Sequence, residues 1–237
     1  MPRSTSATHT DTRSRYQLQE YEGRLVLCDT EDPQTGPVYV DFAAGRAQHR
    51  RQFGGGRGQA IARAVGLNKR TGLHIVDGTA GLGREAFVLA SLGCHVTLVE
   101  RNPLIYALLA DGLQQAALTG DPELAAIIAR MQLVQADTGS WLATLAPTEW
   151  PEVIYLDPMF PKRHKTALVQ KEMRFFHELA GADPEGEATL LHSARRHCHY
   201  RTVVKRPVQA PALAHYQPAF VIPGKIIRYD VYLPSRH

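Results

Sequence analysis

The chain has few of the residues that cross-link small proteins or anchor proteins in membranes. Its 237 residues include only three cysteines, which are scattered and show no C-x-x-C spacing. This pattern predicts neither a disulfide framework nor a zinc cluster, and it favours a reducing cytoplasm. No apolar run is long enough to cross a bilayer, and the polar residues 1–14 lack the apolar core of a signal peptide. We therefore expect neither membrane insertion nor secretion.

Basic residues exceed acidic residues only slightly, 27 against 23, and the formal net charge is +4. The basic residues are nevertheless clustered, and several clusters follow predicted strands. Clustered cations near a site favour a phosphate-rich partner, because neutralised phosphates release counterions. A solvated basic face is the alternative for any single cluster. The clusters lie at residues 49–51, Arg57, 162–165, 195–196 and 205–206.

The chain is large enough, and with 44% hydrophobic residues apolar enough, to form one α/β domain with a small appendage. The first residues are polar, and β-prone pieces follow at 25–27 and 38–42. A helical pattern over 59–65 ends at Gly66. The predicted units are a disordered tail (1–15), a small N-terminal β subdomain with a glycine-rich connector (16–66) and a main domain (67–237).

Apolar runs alternate with amphipathic segments from residue 73 onward, which is typical of βαβ units and a parallel sheet. Asn102 and Asp121 each precede a proline, so both are predicted to cap helices. Residues 223–225 are predicted to join a C-terminal antiparallel hairpin. The predicted strands are 73–76, 95–99, 133–135, a strand ending at 156, 202–204, 220–222 and 226–232. The predicted helices are 84–92, one starting at 103, 122–130 and 167–179.

A glycine loop follows the first strand of the main domain. Gly81 and Gly83 stand between that strand and a helix, where backbone N–H groups can approach a ligand. Asp77 and Glu100 close successive strands, near the roughly 20-residue offset at which a carboxylate meets a ribose diol. Glu85 in the first helical turn would repel a pyrophosphate but attract a cationic donor. The loop therefore favours S-adenosylmethionine over a nicotinamide dinucleotide.

A second polar turn follows the fourth strand of the main domain. Asp157, Pro158 and Phe160 resemble the Asp/Asn-Pro-Pro-aromatic motif of enzymes that methylate exocyclic amines. The Asp157 carboxylate and the Pro158 carbonyl can accept both amine hydrogens and so direct the nitrogen lone pair, while Phe160 can stack on a base. Met159 replaces the second proline of that motif, and Thr79 replaces a glycine of the usual methyltransferase loop. These residues predict methyl transfer to a nucleobase amine, with Asp157, Pro158 and Phe160 in the catalytic site.

A nucleobase amine is hidden inside a double helix, so the predicted substrate is single-stranded, looped or flipped out. The basic residues directly after the fourth and fifth strands would then contact neighbouring phosphates. We expect no membrane partner. The predicted RNA-binding residues are Arg57, Lys162, Arg163, Lys165, Lys205 and Arg206.

Two other patterns are set aside. His192, His197, Cys198 and His199 match no standard ligand spacing, so no metal site is predicted. The glycine-rich residues 54–58 lack the Gly-Lys-Ser/Thr ending of a phosphate loop and are interpreted as a flexible cover over cofactor or RNA.

Asp137 and Thr138 follow the third strand, at the point where this fold contacts an adenine ring. Aspartate is also a favoured first residue before a helix. Both interpretations of Asp137 remain open at this point.

The motifs together resemble the small-subunit ribosomal RNA methyltransferase J family, over roughly residues 42–232. The resemblance implies a Rossmann-like class I methyltransferase fold that methylates N2 of one guanosine near the 3′ end of 16S rRNA, either free or in the small ribosomal subunit. The residues that carry it are 53–58, 79–84, 100–103, 156–161, 171–174 and 203–207. The resemblance implies that S-adenosylmethionine is contacted by Arg84, Glu85, Glu100, Arg101, Asp137, Thr138 and Asp157. The glycine loop adds three further predicted cofactor-binding residues, Asp77, Gly81 and Gly83.

Alternative functions use the same motifs. The amine-binding turn also suits DNA adenine or a protein glutamine as methyl acceptor. A nicotinamide-dependent oxidoreductase would share the parallel sheet, and a nucleic-acid-binding module without catalysis would share the basic clusters. The acidic turn at Asp157 favours an active amine methyltransferase over the non-catalytic module, and binding of the two cofactors would decide between the methyltransferase and the oxidoreductase.

Overall fold

The computed structural model of the chain describes residues 15–44, 56–158, 179 and 184–235. The predicted tail, apart from Arg15, and the predicted crossover helix at 167–179, apart from Leu179, lie outside these residues. The architecture given below refers to the described part of the chain.

A seven-stranded sheet forms the centre of the protein, with strand order β5-β4-β3-β6-β7-β9-β8. The first five strands in this order are parallel, whereas β9 pairs antiparallel with both β7 and β8. This confirms the predicted mostly parallel α/β sheet with a C-terminal antiparallel hairpin. The strands are β3 (His74–Asp77), β4 (His95–Glu100), β5 (Met131–Gln135), β6 (Val153–Leu156), β7 (Arg201–Pro207), β8 (Phe220–Ile222) and β9 (Ile227–Tyr232).

Helices cover both faces of the sheet, as a parallel sheet requires. One face carries the core cluster that contains Ile75, and the other carries the cluster that contains Val76, since neighbouring residues of a strand face opposite sides. The described helices are α1 (Ala60–Val65), α2 (Arg84–Ser91), α3 (Pro103–Ala117), α4 (Pro122–Ile128), α5 (Thr138–Leu142) and α6 (Pro184–Arg196).

The predicted helix signals are present in α1, α3 and α4. The Asn102 side chain accepts hydrogen bonds from the first backbone N–H groups of α3, and Asp121 does the same for α4. Gly66 ends α1 in the left-handed region with φ 98°. Helix α6 was not predicted, and α5 was predicted only as one of the two interpretations of Asp137, as a residue that caps a helix. Helix α5 has only five residues, and in α6 few residues are apolar, with Leu191 and Ala194 buried.

The N-terminal segment forms the antiparallel hairpin of β1 (Tyr16–Tyr21) and β2 (Arg24–Asp29). The β-prone residues 25–27 lie in β2 as predicted, but β1 was missed because its sequence is largely polar. Residues 38–42 make only an isolated bridge between Leu27 and Val38 rather than a strand.

This hairpin packs directly on the main domain. The backbone N–H of Leu25 donates to Asp111 of α3 at 3.1 Å, and the Gln115 amide donates to the Gly23 carbonyl at 2.7 Å. Val40 and Phe42 belong to the same buried cluster as Ile75 and other residues of the sheet. Within the described residues, no helix has the length and apolar character that a membrane span needs.

Candidate active site

The two predicted ligand loops meet at the edge where the parallel strands end, here called the carboxyl edge. Asp77 of β3 pairs in register with Tyr155 of β6, so the loops that follow these strands start side by side. The backbone N–H of Asp157 donates to the Thr79 hydroxyl at 2.6 Å. A single side chain therefore connects the glycine loop to the proposed amine-binding turn.

The glycine loop leaves room for a ligand at one glycine and is closely packed at the next. Gly81 has φ 53°, and among the described residues a Cβ built there would have one heavy-atom neighbour within 4 Å, the Thr79 carbonyl at 3.8 Å. Gly83 has φ 68°, and a Cβ there would lie 2.8 Å from Leu109 and 3.1 Å from Phe42. The missing side chain of Gly83 thus allows α2 to begin in close contact with the core. At Gly81, by contrast, there is space beside the backbone.

Glu100 lies at the end of β4, where it is 8% exposed. Its carboxylate accepts hydrogen bonds from the backbone N–H groups of Gly81 at 3.0 Å and Asn102 at 2.8 Å. Burial raises the pKa of Glu100 above its usual value, although both N–H groups oppose this shift. A carboxylate fixed in this way, beside the open backbone of Gly81, fits the ribose diol of a nucleoside.

Asp77 is almost completely buried beneath the glycine loop, at 2% exposure. Its carboxyl group accepts a hydrogen bond from the Thr79 N–H at 3.2 Å. Burial raises the pKa of Asp77 to about 8, with further contributions from the charges of Glu85 and Asp157. Asp77 is therefore mostly protonated at neutral pH, and it stabilises the loop as a neutral group.

Lys205 of β7 extends into this acidic cluster. Its ammonium nitrogen lies 2.6 Å from Asp157 Oδ2 and 2.7 Å from Glu85 Oε1. Burial would lower the pKa of Lys205, but the charges of Asp157 and Glu85 outweigh it and raise the pKa above its usual value. Lys205 was predicted to contact RNA phosphates, and the structure places its ammonium against two carboxylates instead.

The other predicted cofactor residues also lie near the carboxyl edge. Arg84 and Arg101 are exposed. Asp137 caps α5 by accepting a hydrogen bond from the Ser140 N–H at 2.9 Å, which confirms the capping interpretation, and its predicted cofactor contact stays a prediction. The buried Thr138 hydroxyl donates to the Gly78 carbonyl at 2.7 Å and so joins the third predicted loop to the first.

Three of the predicted RNA-binding residues, Arg57, Lys205 and Arg206, lie in the described part of the chain, and they differ in exposure and surroundings. Arg206 is only 4% exposed and donates to the Pro211 carbonyl at 3.1 Å. Arg57 is exposed, and its positive charge acts to lower the pKa of the Cys94 thiol. Cys94 directly precedes β4, at the opposite edge of the sheet from Asp157. Phe160, predicted to be catalytic, and Lys162, Arg163 and Lys165 lie outside the described residues, whereas the catalytic candidate Pro158 is buried beside Asp157.

Sequence reasoning missed three contributors to the site. Thr79 was interpreted as a replaced glycine, Lys205 as a phosphate ligand, and Tyr155 as an apolar strand residue. The Tyr155 hydroxyl is buried without a hydrogen-bond partner in the described part of the chain. Tyr155 stands two positions before Asp157. This spacing is the one signal in the sequence that the Tyr155 side chain lies on the same face of the sheet as Asp157.

If the predicted methyl transfer takes place at this site, replacing Thr79 with valine is expected to lower its kcat about 10-fold with a smaller change in KM. The substitution leaves the N–H of Asp157 without its acceptor, at a cost of about 1–3 kcal/mol, so the turn shifts relative to the glycine loop. Steady-state kinetics of Thr79→Val and Thr79→Ser test this. The serine variant keeps the hydroxyl and should resemble the wild type; equal kcat in valine and wild-type proteins would contradict the link.

Asp77 is expected to make the protein less stable as the pH rises from about 4 to about 8. In this window the unfolded chain ionises Asp77 while the folded protein keeps it protonated, because its pKa is raised from 3.8 to about 8. The loss per pH unit reaches at most about 1.4 kcal/mol. Urea unfolding between pH 5 and pH 8 should show a shallower decline for Asp77→Asn than for the wild type. Parallel declines would show that Asp77 does not titrate in this way.

Comparison with known proteins agrees with these features. A family model described as "Putative SAM-dependent methyltransferase", where SAM is S-adenosylmethionine, matches residues 3–234. The ribosomal RNA small subunit methyltransferase J of Ectopseudomonas mendocina is 53% identical over 219 residues, 92% of this chain and 82% of that protein. The protein of the same name from Cellvibrio japonicus is 48% identical over 214 residues, 89% of this chain and 80% of that protein. The crystal structure of a SAM-dependent methyltransferase from Neisseria gonorrhoeae, 39% identical, superposes with a TM-score of 0.74 over 92% of this chain and 83% of that chain.

Proposed function

The chain belongs to the ribosomal RNA small subunit methyltransferase J family, and from this premise we propose that it methylates the exocyclic N2 amine of one guanosine near the 3′ end of 16S rRNA. The protein is an S-adenosylmethionine-dependent methyltransferase. The base and its position in the RNA are the proposed part.

One observation carries the assignment to an amine. The Asp157 carboxylate stands at the carboxyl edge with its backbone tied to the glycine loop through Thr79. Its side chain is 30% exposed and therefore accessible to solvent, unlike the buried Asp77. An accessible carboxylate held next to a nucleoside-binding loop suits an acceptor that presents N–H groups.

The residues of the glycine loop fit S-adenosylmethionine. Glu100 has a fixed carboxylate for the ribose hydroxyls, Gly81 offers open backbone, and Glu85 places a negative charge in the first turn of α2. When bound, S-adenosylmethionine supplies a methyl group on a positively charged sulfur. The acidic surroundings attract that charge, and a dinucleotide pyrophosphate would be repelled by them.

The Asp157 carboxylate and the Pro158 carbonyl accept the two hydrogens of the guanine amine in this proposal. These contacts turn the nitrogen lone pair out of conjugation with the ring and towards the methyl carbon. The amine nitrogen would form a new bond to the methyl carbon, and the bond from that carbon to sulfur would break with its electron pair left on sulfur. The methylated nitrogen then loses one proton, which the Asp157 carboxylate accepts and passes to solvent.

Contacts to the RNA backbone are proposed for Lys162, Arg163 and Lys165, which directly follow the amine-binding turn in the sequence. Neutralising phosphates next to the target nucleotide would hold the base in the cleft. Raising the salt concentration should therefore increase the KM for RNA more than it lowers kcat.

The proposed function is tested by methyl transfer from labelled S-adenosylmethionine to free 16S rRNA, small ribosomal subunits, DNA and protein in parallel. We expect label in the small-subunit RNA, at N2 of a single guanosine when digested RNA is analysed by mass spectrometry. RNA from cells that lack the protein should carry no methyl group at that nucleotide. Label confined to DNA or protein would overturn the proposal, as would methylation of a different RNA atom.

A further inference from the structure

We propose that Lys205 is a positioning residue of the methyl-transfer site, where its ammonium group holds the carboxylates of Asp157 and Glu85 in place and balances their charge. The inference rests on the proposed function, because it assigns to Asp157 the role of acceptor for the amine. Lys205 itself contacts neither reacting atom in this scheme, and it acts through Asp157.

The geometry places one nitrogen between two carboxylates from different elements. Lys205 is on β7, Asp157 follows β6 and Glu85 lies in the first turn of α2. The nitrogen-to-oxygen distances are 2.6 Å to Asp157 and 2.7 Å to Glu85, both typical of charge-assisted hydrogen bonds. The ammonium thus connects the proposed amine-binding turn to the helix that starts at the glycine loop.

Burial separates this arrangement from a surface contact with RNA. The Lys205 side chain is 13% exposed, less than Glu85 at 21% and Asp157 at 30%. Both acidic side chains are therefore more exposed than the lysine side chain. A phosphate that approached Lys205 would also meet the negative charges of these two carboxylates.

The charges explain why the cation is needed. Three carboxyl groups share this region, and Asp77 is mostly protonated at neutral pH because its pKa is about 8. Glu85, Asp157 and Lys205 then leave one net negative charge, which suits a positively charged donor. Without Lys205, the Glu85 and Asp157 carboxylates would lose the cation that lies between them. Neighbouring carboxylates that lose a counter-charge take up a proton more readily. A protonated Asp157 would no longer offer two acceptor oxygens to the amine.

Other titratable groups near Lys205 do not replace its charge. Tyr155 of β6 lies on the same face of the sheet as Asp157 and is fully buried. Burial raises the pKa of the Tyr155 hydroxyl well above its usual value, so this hydroxyl stays neutral. Tyr229 is the register partner of Lys205 on β9 and is 4% exposed. The Lys205 ammonium places a positive charge in direct contact with both the Glu85 and the Asp157 carboxylates.

The test compares Lys205→Met and Lys205→Arg with the wild type by kinetics over pH 5 to 9. We expect Lys205→Met to lower kcat about 100-fold, the size of effect seen when a reacting group is misplaced by about 1 Å. The KM for S-adenosylmethionine should change much less. The acidic limb of the pH profile of kcat should move to higher pH, because Asp157 and Glu85 retain a proton more readily. Lys205→Arg keeps the charge and should restore most of kcat and the wild-type pH profile.

Lys69→Met provides a matched control, since it removes the same charge from an exposed position between α1 and β3. It should leave kcat and the pH profile unchanged. An unshifted pH profile in Lys205→Met, or no recovery in Lys205→Arg, would overturn the inference. Tighter donor binding with faster transfer in Lys205→Met would also overturn it, because Lys205 would then compete with the donor for the acidic cluster.

This design distinguishes a result that contradicts the proposed function from a result that contradicts the role of Lys205. If the wild-type enzyme methylates no small-subunit RNA, the proposed function is wrong, and the same pH profiles are measured on whichever acceptor it does methylate. Urea unfolding adds a readout without substrate. Lys205→Met should lose stability relative to the wild type as the pH rises from 5 to 8, because the carboxylates then repel each other. An equal pH dependence in the two proteins would contradict the charge-balancing role.

Discussion

Replacement of Asp157 by alanine is expected to lower kcat for methyl transfer by about 10³-fold or more. The substitution removes the acceptor that directs the amine lone pair and the base that receives the released proton, and each effect typically contributes about 10²-fold or more. It also leaves the buried Lys205 ammonium with one of its two carboxylate partners. Single-turnover transfer to small-subunit RNA, with S-adenosylmethionine binding measured by calorimetry, separates chemistry from donor binding.

Asp157→Asn is the matched control for this prediction. It keeps one carbonyl oxygen as an acceptor but removes the charge, so its activity should lie between the alanine variant and the wild type. Both variants should fold, because the Asp157 side chain is 30% exposed. An alanine variant with kcat near the wild-type value would exclude Asp157 from the reaction and remove the main support for an amine acceptor.

Gly112→Ala is expected to destabilise the protein by about 1–3 kcal/mol, although alanine normally favours a helix. Gly112 lies in α3, and a Cβ built there would lie 2.4 Å and 2.5 Å from the Val40 side chain and 3.1 Å from the Val40 carbonyl. Such distances force the segment around Val40 away from the helix, and overpacking of this kind costs about 1–3 kcal/mol or more. Urea denaturation measures the change in the free energy of unfolding.

Gln114 supplies the control within the same helix, because its side chain is exposed. At this position alanine should be more stable than glycine by about 1 kcal/mol, in line with helix propensity. At position 112 the order should be reversed. If alanine were the more stable residue at both positions, the close contact between the N-terminal segment and α3 would be excluded.

The main domain could be predicted from the sequence because its signals are local. Buried parallel strands are short apolar runs, and Asn102 and Asp121 cap helices through contacts with residues two or three positions ahead. These patterns identified the strands of the sheet and the starts of α3 and α4. They also placed Asp77, Glu100 and Asp157 at strand ends.

The N-terminal region was predicted less well because its structure depends on contacts with distant residues. Residues 38–42 have the composition of a strand, but Val40 and Phe42 are buried in the core of the main domain instead of extending a sheet. The hairpin strand β1 is largely polar and is held by its partner β2 and by Arg15, which pairs with Asp29 at 2.7 Å. Tertiary packing overrides strand propensity in both places.

The sequence by itself determined a parallel α/β sheet and which acidic residues end its strands, since strand ends and helix caps are encoded by neighbours along the chain. Only the tertiary structure decided which of these residues work together. Thr79 contacts Asp157, and Lys205 contacts both Asp157 and Glu85, across sequence separations of 78, 48 and 120 residues. Such partnerships depend on strand order and register, which bring the ends of β3, β6 and β7 to one edge of the sheet. An ammonium that looks like a surface cation in the sequence is for this reason a buried counter-charge in the folded protein.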